Sequence, residues 1–213
     1  MNTPIIFDFD GTLVDSAPGI LAAFDSAFSA CRMTPNQPLN LSIIGPPLME
    51  TLGNLTGTND MSVLQPLAKE FRASYDEEKY QLTGVFPGVE EMLIGLRACG
   101  YQLYIATNKR IIPTRRILEH LGWEQYFKSV YALDSFSPPL KSKVDMLGVI
   151  LADLELDHNT TLYIGDRQED GEAALVNNIH FLLAVWGYDE SDMNVWERLF
   201  SPDSLIERLG CVI

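Results

Sequence analysis

The sequence predicts an α/β fold in which a doubly wound parallel sheet carries an inserted all-helical domain. Short apolar runs alternate with segments of helical periodicity, a pattern typical of βαβ units. One connection, from about residue 16 to residue 85, is too long for a single crossover helix and has helical patterns of its own. With 213 residues, of which 46% are hydrophobic, the chain is long enough for one domain with a sizeable insertion.

Five short runs have the composition of buried strands. The first contains an uninterrupted apolar sequence, IIF, as expected of a parallel strand that is covered on both faces. The five predicted strands are residues 4–8, 101–107, 129–133, 160–165 and 180–185. Apolar residues at helical spacing lie between most of these runs, so residues 1–15 and 86–213 are predicted to form the α/β core.

The long insertion, residues 16–85, is predicted to be a helical cap on this core. Two of its stretches carry apolar residues at the i, i+3, i+4, i+7 spacing of amphipathic helices. These residues are Ile20, Leu21, Phe24 and Phe28, followed by Leu64, Leu67, Phe71 and Tyr75. Pro87 and Gly88 then mark the return of the chain to the core.

Composition argues against several classes of function. The net charge of −14, from 29 acidic and 15 basic residues, disfavours binding to nucleic acid and to anionic membranes. No apolar run approaches the roughly 20 residues of a membrane span, and no signal-type segment precedes the first strand. The spacing of Cys31, Cys99 and Cys211 indicates neither a disulfide framework nor a zinc site. We therefore expect a cytoplasmic protein, either a monomer or a homodimer.

Polar side chains follow the predicted strands at their carboxyl ends, where ligands bind in open α/β sheets. Asp8 and Asp10 follow the first strand, Thr107 and Asn108 follow the second, and Asp166 follows the fourth. Two acids as close as Asp8 and Asp10 repel each other, and burial adds to the cost. A cation or a shared proton is therefore expected between them.

Further charged residues are predicted to join this group. Asp170 starts a helix just after Asp166, and Lys141 and Lys143 open the helix before the fourth strand. Each feature alone has an ordinary structural explanation as a turn, a helix cap or a solvated lysine. Together they offer acids for a hard cation and a hydroxyl, an amide and a lysine for phosphate oxygens.

Four motifs carry a resemblance to a known family. DFDGTLVDS, ATN, a lysine of LKSK and IGDRQED together resemble the motifs of the haloacid dehalogenase (HAD) superfamily. More narrowly, the chain is similar to the phosphoglycolate-phosphatase-like branch, which also has a loop similar to GPPL at residues 45–48. The resemblance implies a Rossmann-like HAD core with a helical cap. It also implies Mg²⁺-dependent hydrolysis of a small phosphorylated metabolite through an aspartyl-phosphate.

The resemblance also implies individual roles for the acids. Asp8 would be the nucleophile that attacks phosphorus, and Asp10 would be the general acid and base. Mg²⁺ would be bound by the carboxylates of Asp8 and Asp166 and by the backbone carbonyl of Asp10. Asp170 would hold a metal-bound water or fix the lysine, and Gly11 would let the backbone approach the phosphate.

Thr107, Asn108 and one lysine would bind the phosphate oxygens on which negative charge is spread in the transition state. Lys143 is preferred over Lys141, because it lies nearer to Asp166 and the KVDMLGVIL that follows resembles the branch with the shorter spacing.

Alternative functions remain at this stage. An acid at position 10 favours cleavage of a phosphate ester over dehalogenation, but a phosphomutase would share it. A non-enzymatic phospho-ligand-binding or receiver module also groups acids, a hydroxyl and a lysine at strand ends, although it lacks the second acid and the insertion. His120, His158 and His180 are scattered and GxSxG is absent, so serine hydrolase chemistry has little support. Phosphoglycolate, a nucleoside monophosphate and a sugar phosphate all stay open as substrates.

Overall fold

The computed structural model describes residues 3–188 and 195–211. The strands of these residues are β1 (Pro4–Phe7), β2 (Val14–Asp15), β3 (Gly84–Val85), β4 (Gln102–Thr107), β5 (Phe127–Ala132), β6 (Leu162–Gly165), β7 (His180–Ala184) and β8 (Glu197–Leu199). The α-helices are α1 (Ala17–Ala30), α2 (Leu48–Thr56), α3 (Met61–Glu77), α4 (Val89–Ala98), α5 (Ile111–Leu121), α6 (Lys143–Asp153), α7 (Gln168–Val176) and α8 (Pro202–Arg208).

The main sheet is parallel and has six strands in the order β5-β4-β1-β6-β7-β8. Strand β1 lies between β4 and β6, at the point where the strand order reverses. In such sheets the loops that leave the central strands meet at one edge and form the ligand site. The predicted doubly wound α/β fold is confirmed.

The two faces of the sheet are both buried, which explains the continuous apolar sequence of β1. Ile5 and Phe7 pack into a cluster with α4 and α8, whereas Ile6 packs on the opposite face with residues of α6 and α7. Side chains alternate between the faces of a strand, so a strand that is covered on both sides needs an apolar residue at every position.

Strand β8 was not predicted from the sequence. It is only three residues long, lies at the edge of the sheet and carries Glu197 and Arg198, so it offers no apolar run. Glu197 forms ion pairs with His180 and Arg208, which fasten this edge to β7 and α8. The strand is held mainly by its backbone pairing with β7 and by the burial of Leu199, and the surface ion pairs add little.

A further apolar cluster lies outside the sheet and is built mainly from α1, α2 and α3. Both predicted amphipathic stripes point into it, and all their members except Leu21, which is partly buried, are buried. At the two ends of this segment, β2 and β3 form a short antiparallel pair in which Val14 lies opposite Val85. Among the described helices, none is both long enough and apolar enough to span a bilayer.

Candidate active site

The carboxyl ends of β1, β4 and β6 bring the predicted residues to one edge of the sheet. Asp8 follows β1, Thr107 ends β4 and Asp166 follows β6. The backbone N–H of Asp8 donates to the carbonyl of Ile164 at 2.8 Å, so the sheet ladder itself positions the start of the DFDGT loop.

Three buried carboxylates form the centre of the site. Asp8, Asp166 and Asp170 each contribute an oxygen, and these oxygens lie within 4.8 Å of one another. Lys143 Nζ lies 2.5 Å from Asp170 Oδ1 and 3.1 Å from Asp8 Oδ1. Asp8 and Asp170 therefore share one buried ammonium, and Arg167 Nε lies 3.9 Å from Asp166 Oδ2. Two cations face three acids, so the cluster keeps an excess of negative charge when all three are ionised.

The surrounding chain holds two of the carboxylates in place. Asp166 accepts hydrogen bonds from Thr12 Oγ1 at 3.2 Å and from the backbone N–H of Tyr188 at 2.8 Å. Asp170 accepts from the Tyr163 hydroxyl at 2.9 Å and from the backbone N–H of Arg167 at 3.1 Å. These contacts fix the orientation of both groups before any ligand binds.

Burial and repulsion between neighbouring carboxylates raise the pKa values of Asp8 and Asp166 in the absence of a metal. Burial raises the pKa of Asp8 to about 7, with attraction to Lys143 opposing the rise. Burial, together with repulsion by Asp170 and Asp8, raises the pKa of Asp166 to about 8. For Lys143, burial lowers the pKa, but the attraction of Asp170 and Asp8 outweighs it and the net pKa is raised.

The cluster fits a divalent cation. Carboxylate oxygens are the ligands that Mg²⁺ prefers, and Asp8 Oδ1 accepts no hydrogen bond from any described residue although Lys143 lies near it. Gly11 has a φ of +88°, and a Cβ at this position would lie 2.3 Å from Asp166 Oδ2. Glycine thus allows the DFDGT loop to close onto the carboxylates, where any side chain would collide with them.

The side chain of Asp10 lies outside this cluster. Its Oδ1 accepts hydrogen bonds from Ser16 Oγ at 2.5 Å and from Lys109 Nζ at 3.0 Å. Lys109 also donates to the Tyr75 hydroxyl at 2.7 Å. Asp8 and Asp10 therefore have separate cationic partners, which relieves the repulsion expected from their spacing. Coordination of a metal by the backbone carbonyl of Asp10 stays a prediction.

Sequence reasoning missed the roles of Lys109 and Tyr75. Lys109 directly follows Asn108 in the ATNK sequence, so its place beside the motif was a usable signal. Tyr75 ends the apolar stripe of α3 and was counted as a core residue. It is buried, but its hydroxyl reaches the site.

The predicted phosphate-binding residues lie beside the cluster. Thr107 Oγ1 accepts from the backbone N–H of Lys109 at 3.1 Å, and Asn108 Nδ2 donates to the carbonyl of Gly45 at 3.1 Å. Asn108 Oδ1 is buried and finds no partner in the described part of the chain. Of the two candidate lysines, Lys143 is buried against the acids whereas Lys141 is exposed. The geometry favours Lys143.

An open pocket lies beside the cluster. It is lined by Asp8, Asn108, Lys143 and Asp170 and by the loop that contains Gly45. Several contacts hold the helical segment over this pocket. Arg110 forms a paired ion contact with Asp76 of α3, at 2.9 and 2.5 Å. Arg167 Nη2 donates to the carbonyl of Leu41 at 3.0 Å. The pocket therefore lies between the sheet edge and the 16–85 segment.

Comparisons with known proteins agree with this geometry. Residues 5–184 match the haloacid dehalogenase-like hydrolase family. Tyrosine-protein kinase PtkA of Mycobacterium tuberculosis is 36% identical over 97% of this chain and 72% of that protein. A phosphoglycolate phosphatase of Xylella fastidiosa is 29% identical over 96% of this chain and 88% of that protein. A predicted phosphatase of Clostridium acetobutylicum, 24% identical, superposes with a TM-score of 0.86 over the whole of both chains.

The fold and the site define a hydrolase with an α/β fold whose acid cluster lies where the strand order of the sheet reverses. The chain belongs to the haloacid dehalogenase-like hydrolases. The family predicted from the four motifs and the predicted enzyme class are confirmed.

Proposed function

We propose that this protein is a Mg²⁺-dependent phosphatase that hydrolyses a small phosphate monoester through an aspartyl-phosphate on Asp8. The observation that carries the proposal is the group of three buried carboxylates around Lys143, with Asp8 left partly unpaired beside an open pocket. Family membership favours this function over the alternative receiver module. The phosphatase names of relatives such as that of Xylella fastidiosa support it.

The residues divide the reaction into two steps. In the first, a carboxylate oxygen of Asp8 forms a bond to phosphorus, the bond to the ester oxygen breaks, and Asp10 gives its proton to the leaving oxygen. In the second, Asp10 takes a proton from water while that water attacks phosphorus, and the Asp8 carboxylate leaves. Lys109, at 3.0 Å, stabilises the ionised Asp10 that the second step requires.

The groups that would bind the charged phosphate already lie beside Asp8. Lys143, Thr107 and Asn108 would bind its oxygens, and Asn108 Oδ1 would accept from a protonated phosphate oxygen or a water. Asp8, Asp166 and the carbonyl of Asp10 would hold Mg²⁺, which when bound neutralises carboxylate and phosphate charge. Asp170 orients Lys143 through its 2.5 Å contact.

Residues 16–85 would form a cap that controls access, on a core of residues 1–15 and 86–213. The separate apolar cluster of this segment and the short β2–β3 pair at its two ends support this division. The ion pair between Arg110 and Asp76 is one contact that opening would break.

The direct test is release of phosphate from p-nitrophenyl phosphate with and without Mg²⁺. We expect turnover with Mg²⁺, its loss after exhaustive treatment with EDTA, and its return when Mg²⁺ is added in excess. Buffer prepared with EDTA already saturated by Mg²⁺ is the control for effects of the chelator itself. Undiminished turnover in the metal-free protein would contradict the proposal.

A second prediction concerns pH and stability. Because the folded-state pKa values of Asp8 and Asp166 are raised, the native protein holds more protons than the unfolded chain between about pH 4 and pH 8. Their contribution to the stability of the metal-free protein should therefore be lost as pH rises through this range. Mg²⁺ requires ionised ligands, so the rise in Tm that it causes should grow over the same range.

Differential scanning calorimetry from about pH 5 to pH 8, with and without Mg²⁺, measures both effects. The Asp8→Asn variant is the matched control, because it lacks one of the two titrating groups. It should show a weaker dependence on pH and a smaller shift with Mg²⁺. A shift in Tm with Mg²⁺ that is independent of pH would contradict the assignment of these ligands.

The relative named tyrosine-protein kinase raises a second candidate, transfer of phosphate from a nucleoside triphosphate to tyrosine. The pocket disfavours it, since further phosphate groups would lie beside Asp10, where Lys109 already has an acidic partner. Incubation with γ-labelled ATP and detection of phosphotyrosine separates the two functions. Label on tyrosine without free phosphate would favour the kinase.

Location and partners complete the proposal. The three cysteines are free in the structure, which supports a reducing, cytoplasmic compartment. The partner would be a small phosphorylated metabolite rather than nucleic acid or a membrane, consistent with the net charge of −14. The expectation of a monomer or a homodimer stays a prediction.

A further inference from the structure

A second pocket extends from Asp10 into the 16–85 segment, and its far wall is apolar. It has a cavity volume of about 70 Å³ and is open to solvent. Both this pocket and the one at Asp8 are lined by Ile44, Gly45, Pro46 and Asn108, so the two lie side by side. An ester whose phosphate lies at Asp8 would extend its alcohol part into this second pocket, past Asp10.

The wall of the pocket is formed by aliphatic and aromatic side chains. Phe24 of α1 and Phe71 of α3 pack with their ring centroids 4.5 Å apart and present a continuous apolar surface. The apolar wall consists of Ile20, Phe24, Ile43, Ile44, Leu48 and Phe71. A group that enters here gains by removing apolar surface from water and finds few hydrogen-bond partners.

Charged side chains line only the end nearest to Asp10, and those among the described residues are already paired. Lys109 lies 3.0 Å from Asp10 and donates to Tyr75 as well. Arg110 is held by both carboxylate oxygens of Asp76. A carboxylate on the substrate would lose its water here. To gain a cation it would have to displace Asp10 and Tyr75 from Lys109, or Asp76 from Arg110, which is costly.

We propose, on the basis of the phosphatase function above, that the substrate is a monoester whose alcohol carries an uncharged apolar group, such as a branched alkyl or an aryl group. A substrate whose alcohol carries a carboxylate, as in phosphoglycolate, would be disfavoured. The pocket therefore acts as a specificity site that selects substrates whose leaving group is uncharged.

The test uses two esters of equal shape, isopentyl phosphate and β-phosphooxypropionate. Both release a primary alcohol, and they differ in whether an isopropyl group or a carboxylate ends the chain. We expect kcat/KM to be at least about tenfold higher for isopentyl phosphate, the scale on which apolar pockets discriminate. Equal values, or a preference for the carboxylate, would overturn the inference.

A binding measurement makes the result independent of turnover. Isopentylphosphonate and β-carboxyethylphosphonate differ in the same way, by an isopropyl group or a carboxylate at the end of the chain. Neither has an ester bond that could be hydrolysed. In calorimetric titrations of the Mg²⁺-loaded protein, the former should bind at least about tenfold more tightly. If this preference holds while no ester is hydrolysed, p-nitrophenyl phosphate included, then the phosphatase proposal fails and the pocket assignment stands.

A charge introduced into the pocket should reverse the preference. Leu48 is only half-buried at the start of α2, so Leu48→Lys offers a cation at modest cost to the fold. This variant should bind β-carboxyethylphosphonate more tightly than wild type does. Leu175→Lys, on the exposed face of α7, is the matched control and should retain the wild-type preference. An unchanged preference in Leu48→Lys, with correct folding shown by calorimetry, would contradict the assignment.

Discussion

Asp8→Asn is expected to lower kcat for p-nitrophenyl phosphate by at least roughly 10⁴-fold, the scale on which loss of a covalent nucleophile acts. An amide cannot attack phosphorus usefully, and the change also removes a carboxylate from the predicted metal site. Asp8 Oδ1 accepts no hydrogen bond among the described residues, whereas the neighbouring carboxylates of Asp166 and Asp170 are held by hydrogen bonds and are not free to attack in its place. Steady-state phosphate release measures the effect.

The fold should survive this substitution. Burial raises the pKa of Asp8, so its charge costs stability, and Lys143 keeps its 2.5 Å contact with Asp170 in the variant. Asp134→Asn is a matched control, because Asp134 accepts a hydrogen bond from the backbone N–H of Ile111 and an asparagine can still accept it. The control should retain turnover. A folded Asp8→Asn protein with more than about a tenth of wild-type kcat would contradict the role of Asp8.

Asp10→Asn is expected to lower turnover by about 10² to 10⁴-fold, the range for general acid–base catalysis. The loss in the first chemical step should depend on the leaving group, because a poor leaving group needs the proton that Asp10 supplies and p-nitrophenolate does not. Rapid-quench rates of the first step with alkyl phosphates and with p-nitrophenyl phosphate, in the variant and in wild type, measure this dependence. An equal loss for both substrates in the first chemical step would argue that Asp10 is not the acid.

The sequence predicted the parts of the fold that depend on hydrophobic periodicity. Strand β1 and the stripe of α3 that runs from Leu64 to Tyr75 were predicted because burial on defined faces leaves a local pattern. Strand β8 was missed because it is short, buries only Leu199 and is held by backbone pairing with β7, which lies earlier in the chain. Pairing of that kind has no local period.

In the candidate site, too, some features could be predicted from the sequence and others could not. Asp8, Asp166 and Lys143 could be predicted, since each lies at a strand end or helix start within a recognisable motif, and the structure brings them together. The hydrogen bond from Lys109 to Tyr75 could not be predicted, because it joins the loop after β4 to a helical residue 34 positions away in the chain. In the apolar wall, Ile20, Phe24 and Phe71 were predicted only as buried helix faces, since sequence spacing does not distinguish a core face from a pocket wall.

Rapid quench of the Asp10→Asn variant, followed by mass spectrometry of its peptides, tests the central claim most directly. With p-nitrophenyl phosphate the first step should proceed, and the adduct should accumulate because no base activates water for the second. We expect a phosphoryl group on Asp8, absent from the Asp8→Asn/Asp10→Asn double variant. A phosphoryl group on any other residue, or turnover without an adduct on Asp8, would contradict it.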